Sequence, residues 1–294
     1  MNGAASQQLR QRDGAADSSR AMRYVARVNP SAPEPSDALC VRTHFVRERN
    51  ALMARADFGD LYVDYYLHQG QHSYQHAPAH DSLLKEALAA LTLHCASRPW
   101  NESWAWTIHF QQPPLNLFVT GDNRRGIVVG QLSTEDVREN KPNIFFADVA
   151  REGGETRRSS IEFTGTEPFR IVEEFYERSE QRPARYFQLG PEDFVMISAQ
   201  PGCDLPWFAG LDDDAVRALP ESETLSLLEQ REYRWGCGCS QERMFPILSS
   251  MMRSDPVELF GEENALRISC PRCGARYSVT REALEAFLSE RSAA

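Results

Sequence analysis

Four cysteines in this chain fall into two close pairs, Cys237-Gly-Cys239 and Cys270-Pro-Arg-Cys273. Two such pairs are the donor set of a closed, tetrahedral structural zinc site. Gly238 and Gly274 fit that reading, because ligands this close in sequence need tight turns that glycine adopts cheaply at positive φ. Size fits as well. A module of about 60 residues rarely builds an adequate core alone, and metal binding can supply about 10–16 kcal/mol of apparent folding free energy. The same four sulfurs are thiolates when they hold a metal, and the thiolate is the form that oxidants attack. Once oxidised, each pair is able to close its own small ring, Cys237–Cys239 and Cys270–Cys273. A Cys-x-Cys ring is strained and therefore more oxidising than an ordinary structural disulfide. Oxidation would eject the metal and its folding energy together. The chemistry thus allows a redox switch without requiring one, since purely structural sites use the same residues.

Composition narrows the class. The 294 residues suggest one large domain and one small one. Net charge is −10, which disfavours broad binding to nucleic acid. No apolar run approaches a membrane span, and the N-terminus lacks the apolar core of a secretory signal. The seven cysteines therefore read as metal or redox residues in a reducing compartment, taken as the cytoplasm. Residues 1–37 read as a disordered leader. A transit peptide is the competing reading, favoured by five arginines and opposed by Asp13 and Asp17.

The elements that must position the cysteines follow from periodicity. Residues 38–58 alternate as a strand pair, and Asp60–His72 is aromatic-rich and compatible with a helix. A helix opens at Asp81 or Ser82, with Leu84, Leu88, Leu91 and Cys95 at helical spacing, and Pro99 ends it. Period two returns in WAWTIHF, LNLFVTG and GIVVGQL, then in NIFFADVA and RRSSIEFTG. Thr166 is the expected cap of a helix whose inner stripe is Ile171, Val172, Phe175 and Tyr176. RYFQL and FVMISAQ complete an α+β domain, mainly antiparallel sheet with packed helices, over 38–200. Residues 201–232 carry eight carboxylates against Arg217 and Arg231 and read as an acidic, marginally stable linker. Residues 233–294 read as a small zinc-binding unit: a helix capped by Ser240, a short helix at Asp255-Pro256, two strands around the CPRCG knuckle, and a last helix capped by Thr280.

CGCSQER, CPRCGARY and FYERSEQRPARYF together resemble the redox-regulated 33-kDa heat-shock chaperone family. The matching positions are Cys237, Cys239, Ser240, Glu242 and Arg243, then Cys270 and Cys273, and Ser179, Glu180, Gln181 and Pro183. The order of elements fits from about 38 to 290. The resemblance implies an ATP-independent holdase of the stress response, not an enzyme. Cys237, Cys239, Cys270 and Cys273 would hold Zn2+ in the reduced, inactive form. They would form two disulfides in the oxidised form, which binds unfolding client proteins and is able to dimerise. It implies neither a nucleic-acid nor a membrane partner. Three departures stand out: the linker is short, QQPP (111–114) replaces a Gly-Asp-Gly-Pro turn, and the leader is extra. The short linker puts the activation route in question.

Other signals carry less. His68, His72, His76 and His80 recur every fourth residue, but Gly70, Ser73 and Pro78 interrupt a helix, so a solvated polar loop is expected. Cys40 and Cys95 read as core, Cys203 as half-buried and unpaired, and Trp104 and Trp106 as core. Two rival functions remain. One is a zinc-ribbon binding protein with constitutive or non-redox activity, weakened as an RNA binder because eight arginines and eight carboxylates cancel in 233–294. The other is a thiol oxidoreductase, weakened by the lack of a thioredoxin-like βαβ pattern.

Overall fold

Alternating apolar and polar residues build the first two strands, β1 (Leu39–Val46) and β2 (Ala51–Asp57), which pair antiparallel. The computed structural model describes residues 38–135, 137, 142–254 and 259–292. The expected leader and the short helix at Asp255-Pro256 lie outside the described residues. The sheet continues with β3 (Glu102–Gln111), β4 (Pro114–Asp122), β5 (Ile127–Ser133), β6 (Asn143–Arg151), β7 (Arg157–Phe163), β8 (Ala184–Gln188), β9 (Asp193–Ala199) and β10 (Leu225–Trp235). Their order is β7-β6-β3-β4-β5-β10-β1-β2-β9-β8. Neighbours run antiparallel except β10 and β5, which meet in parallel at Arg234 and Trp235 opposite Ile127 and Val128. The α+β class with a mainly antiparallel sheet is as the sequence implies.

Helices α1 (Gly59–Gln71), α2 (Pro78–Ala96) and α3 (Pro168–Arg178) cover one face. The predicted stripe Leu84, Leu88, Leu91 and Cys95 is fully buried against the sheet. Helix α2 starts at Pro78 rather than Asp81, because proline at the first turn loses no hydrogen bond. Asp81 instead accepts the hydroxyls of Tyr65 (2.8 Å) and Tyr66 (2.7 Å), tying α1 to α2. Helix α3 likewise starts beyond Thr166, with Glu167 at its N-cap making no side-chain cap, and its four predicted inner residues are buried. Where α3 ends, Gln181 takes a positive φ of 54° and Glu180 pairs with Arg98, beneath Trp104 and Tyr176.

Trp104 and Trp106 are core residues, as expected, and His94 is wedged edge-on between them. Its Nδ1 bonds the Tyr176 hydroxyl at 2.6 Å and its Nε2 is buried without a partner. Burial, reinforced by Arg98 and Arg182, holds His94 well below its ordinary pKa, so the folded protein keeps it neutral. The unfolded chain takes up that proton below about pH 6.5. The contribution is therefore complete above pH 6.5 and is lost as pH falls below it, by about 1.4 kcal/mol per pH unit. We expect the urea midpoint to fall between pH 7 and 5, and the fall to shrink in His94→Gln. Equal slopes in both proteins would remove His94 as the cause.

Residues 201–232 differ from the expected linker. They hold α4 (Leu205–Ala209), α5 (Asp213–Ser222) and most of β10. Asp204 and Asp212 cap the two helices through the amides of Trp207 and Ala215, and Glu223 and Glu229 pair with Arg49 and Arg231, so at least four of the eight carboxylates are structural. Phe208, Leu211, Val216 and Leu219 pack under the sheet on Val46, Met53, Val195 and Ile197. Strand β10 lies inside the sheet, paired along β1 from Leu39↔Tyr233 to Val46↔Leu225. Its period was hidden by Arg231, which is buried. The guanidinium donates to the Cys95 carbonyl (3.1 Å) and to Glu229 (2.6 Å), and it stacks over Trp100. Cys40 is a second correction. It is exposed, because Leu39 and Val41 take the inward positions and Cys40 faces the other side of β1. Among the described residues no helix is long and apolar enough to cross a membrane.

Candidate metal centre

The chain leaves the sheet at Trp235 and reaches the first cysteine pair two residues later. The amides of Arg234 and Gly236 donate to Gly126 (2.9 Å) and Val128 (3.1 Å), so β5 fixes the exit point. Gly126 has φ of 57°, and a Cβ on it would lie 2.5 Å from the Glu232 carbonyl, so only glycine permits this crossing. Gly238 turns the chain between Cys237 and Cys239 with φ of 69°.

The second pair sits between β11 (Ala265–Ser269) and β12 (Arg276–Thr280), an antiparallel ribbon separate from the main sheet. The Cys270 amide donates to Ala275 and the Gly274 amide to Cys270, which folds Cys270–Gly274 into a knuckle with Gly274 at φ of 72°. Helices α6 (Gln241–Ser254) and α7 (Arg281–Ser292) complete this part. Thr280 accepts the Ala283 amide at 3.2 Å, as its expected role as cap requires. Leu248, Phe260, Val279 and Leu284 form its own small core. The described residues belong to one compact unit, and Cys237, Cys270 and Cys273 bury against Val129 of β5 and Ala275.

The structure brings all four predicted sulfurs together, each within 4.8 Å of the others. Contacts run across the pairs: Cys237 Sγ lies 3.6 Å from Cys270 Sγ, and Cys239 Sγ lies 3.4 Å from Cys273 Sγ. A tetrahedron with metal–sulfur bonds of about 2.3 Å has sulfur–sulfur edges of about 3.8 Å, so the cluster has the size of a metal-binding set. Its electrostatics agree. With protons alone to hold them, the thiols of Cys237 and Cys273 hydrogen-bond to Cys270 and keep it a thiolate, far below the usual thiol range. The same sharing pushes Cys237 up to about 12 and Cys273 upward as well. Four thiolates coexist at this spacing only around a cation. An all-sulfur set selects a soft one.

Around the sulfurs lie residues that sequence reasoning did not find. The Tyr277 hydroxyl is 3.1 Å from Cys239 Sγ, the least buried of the four. From α1 and the turn after it, His68 and Tyr74 reach the Cys273 carbonyl, and His72 reaches the Arg276 carbonyl. The expected solvated histidine loop is thus a contact surface. Gly70 stays within α1, where no atom crowds its Cβ position, so His68 and His72 share one face. The four-residue spacing was the available signal.

Comparison with known proteins converges on one group. Residues 205–280 match the model of the Hsp33 protein family. The 33 kDa chaperonin of Caldanaerobacter subterraneus is 32% identical over 78 residues, 26% of this chain and 26% of its own length. That of Vibrio cholerae is 23% identical over 270 residues, covering 78% of this chain and 92% of the relative. The chain thus spans about a quarter of the length of the first relative and nearly all of the second. The crystal structure of the 33 kDa chaperonin from Thermotoga maritima shares the fold, with a TM-score of 0.65 at 12% identity over 87% of this chain and 99% of that one.

Proposed function

We propose that this chain, a divergent member of the Hsp33 family, is an ATP-independent holdase whose activity is set by the oxidation state of Cys237, Cys239, Cys270 and Cys273. The observation that carries this reading is the single cluster of four sulfurs built from two pairs, each close enough in sequence to form its own disulfide. In the reduced protein these residues hold Zn2+, the soft, redox-inert ion that suits four thiolates. The bound ion supplies charge compensation and cross-linking. The metal-dependent part begins at residue 236 rather than at the expected 233, because β10 runs in the sheet to Trp235, and 38–235 is the scaffold.

Activation needs an oxidant, and a peroxide suffices. Attack by one thiolate breaks the O–O bond, leaves a sulfenic acid and releases hydroxide. The paired thiolate then attacks that sulfur, the S–S bond forms, and a second hydroxide leaves. Cys239 is the most accessible sulfur and the natural first site. Closure of Cys237–Cys239 and Cys270–Cys273 withdraws all four donors. The part that relied on them then has only its small core of Leu248, Phe260, Val279 and Leu284. The partners are unfolding proteins in the cytoplasm, and the oxidised form is the one able to dimerise. It performs no catalysis.

A second reading, a chaperone active in both redox states, draws support from β10. The segment expected to loosen is paired inside the sheet. One assay separates the two. Peroxide-treated protein should suppress aggregation of a thermally unfolding client at near-stoichiometric ratio, and dithiothreitol-treated protein should not. Equal suppression would select constitutive activity, and none in either state would sink both.

A further inference from the structure

We propose that Tyr74 and His68 are positioning residues of the cysteine centre, forming a clamp that couples its state to the α1–α2 hairpin in place of the linker. This rests on the metal and redox reading above.

The clamp converges on one atom. The Cys273 carbonyl accepts the Tyr74 hydroxyl at 2.8 Å and the His68 Nε2–H at 3.0 Å. A carbonyl only accepts, so the His68 imidazole carries its proton on Nε2. Both donors are distant in sequence: Tyr74 and His68 lie about 200 residues before Cys273. The approach is tight, because a Cβ on Gly274 would sit 3.2 Å from Tyr74 Cζ, so glycine at this knuckle position also admits the tyrosine ring. Arg276 returns the contact, donating to the Ser73 carbonyl at 3.2 Å with its guanidinium over the Tyr74 ring. His68 also packs on Trp235, two residues before the first cysteine pair. The hairpin therefore touches the chain at the second cysteine pair and just ahead of the first.

The consequence for coupling follows from where flexibility resides. Strand β10 is hydrogen-bonded along β1 and anchored by buried Tyr233 and Arg231, so it is poorly placed to melt first. The clamp contacts are few, and its two central hydrogen bonds depend on the carbonyl direction at Cys273. Joining Cys270 Sγ to Cys273 Sγ redirects the knuckle backbone. That change reaches the hairpin without passing through β10.

The test uses the full chain. Tyr74→Phe keeps the ring and removes one hydroxyl; His68→Leu removes the other donor; Tyr66→Phe, whose hydroxyl bonds Asp81, is the control. With zinc bound, the four-sulfur site should persist, read by the thiolate-to-metal charge-transfer band after cobalt substitution. Release of zinc by peroxide, followed with a chromogenic chelator, should be about 10-fold faster or more in Tyr74→Phe and His68→Leu, on the scale of lost outer contacts at metal sites. In wild type, hydrogen exchange after zinc release should rise across 59–77 while 225–233 stays protected. Wild-type release rates in both variants, or exchange rising in 225–233 with 59–77 unchanged, would overturn the clamp. Reduced wild-type protein without stoichiometric metal would overturn the metal reading instead. In that event, greater exchange over 265–280 in Tyr74→Phe than in wild type would support the clamp, and equal exchange would reject it.

Discussion

Cys273→Ser is expected to purify without stoichiometric zinc and to lose ordered structure selectively from residue 236 onward. Cys273 is fully buried, and its sulfur contacts the cluster while its carbonyl holds the clamp. A serine hydroxyl is a poor donor for a soft ion, and three thiolates no longer close the site. The loss is measured against the roughly 10–16 kcal/mol of apparent free energy that a structural zinc supplies. Against this, the small core of Leu248, Phe260, Val279 and Leu284 offers about 1.5–3 kcal/mol per buried side chain before chain entropy is counted. Limited proteolysis should therefore cut within 236–292 and leave 38–235 as a stable fragment. Stoichiometric zinc in the variant, or cleavage spread evenly over the chain, would contradict a metal-dependent C-terminal part.

Tyr233→Ala is expected to destabilise the entire sheet rather than the C-terminal part. Tyr233 is fully buried opposite Leu39, and its hydroxyl donates to Asn123 Oδ1 at 2.9 Å. The Asn123 side-chain amide in turn donates to the carbonyls of Cys95 and Pro99, each at 2.9 Å. Deleting a buried aromatic ring costs about 3–5 kcal/mol, and the stranded Asn123 oxygen adds to that. The thermal midpoint should fall by roughly 10 °C, with β1, α2 and β10 losing exchange protection together. An unchanged midpoint for the core would mean that β10 is dispensable, and the activation route through a loosened 201–232 would regain its standing.

These two substitutions divide what was readable in the chain from what was not. The cysteine spacing alone predicted the cluster, because ligand pairs two or three residues apart have little conformational choice once a second pair is present. Apolar periodicity likewise placed α2, α3 and the strands β3 to β7, since each buries one clean stripe: Leu84, Leu88 and Leu91 on the helix, Trp104 and Trp106 on the strand. Helix starts were less legible. At Pro78 and Pro168 the proline itself begins the first turn, and the residues expected as caps are used elsewhere or not at all.

Most of the remaining errors concern polar groups whose partners the apolar pattern does not reveal, some local and some distant. Arg231 looked like a solvated linker charge, but it is buried because the Cys95 carbonyl, Glu229 and the Trp100 ring receive its guanidinium. Asp204 and Asp212 looked like repelling acid and are helix caps. His68 and Tyr74 looked like parts of a polar loop and meet the Cys273 carbonyl. A polar side chain carries no periodic signature of its partner, whereas an apolar one declares that it will be inside. The sequence by itself determined the four-sulfur set and the α+β class, both encoded in local spacing. Only the tertiary structure decided that 225–235 is a strand within the sheet and that the cysteine knuckle rests on the α1–α2 hairpin, because both depend on hydrogen bonds between residues more than a hundred positions apart.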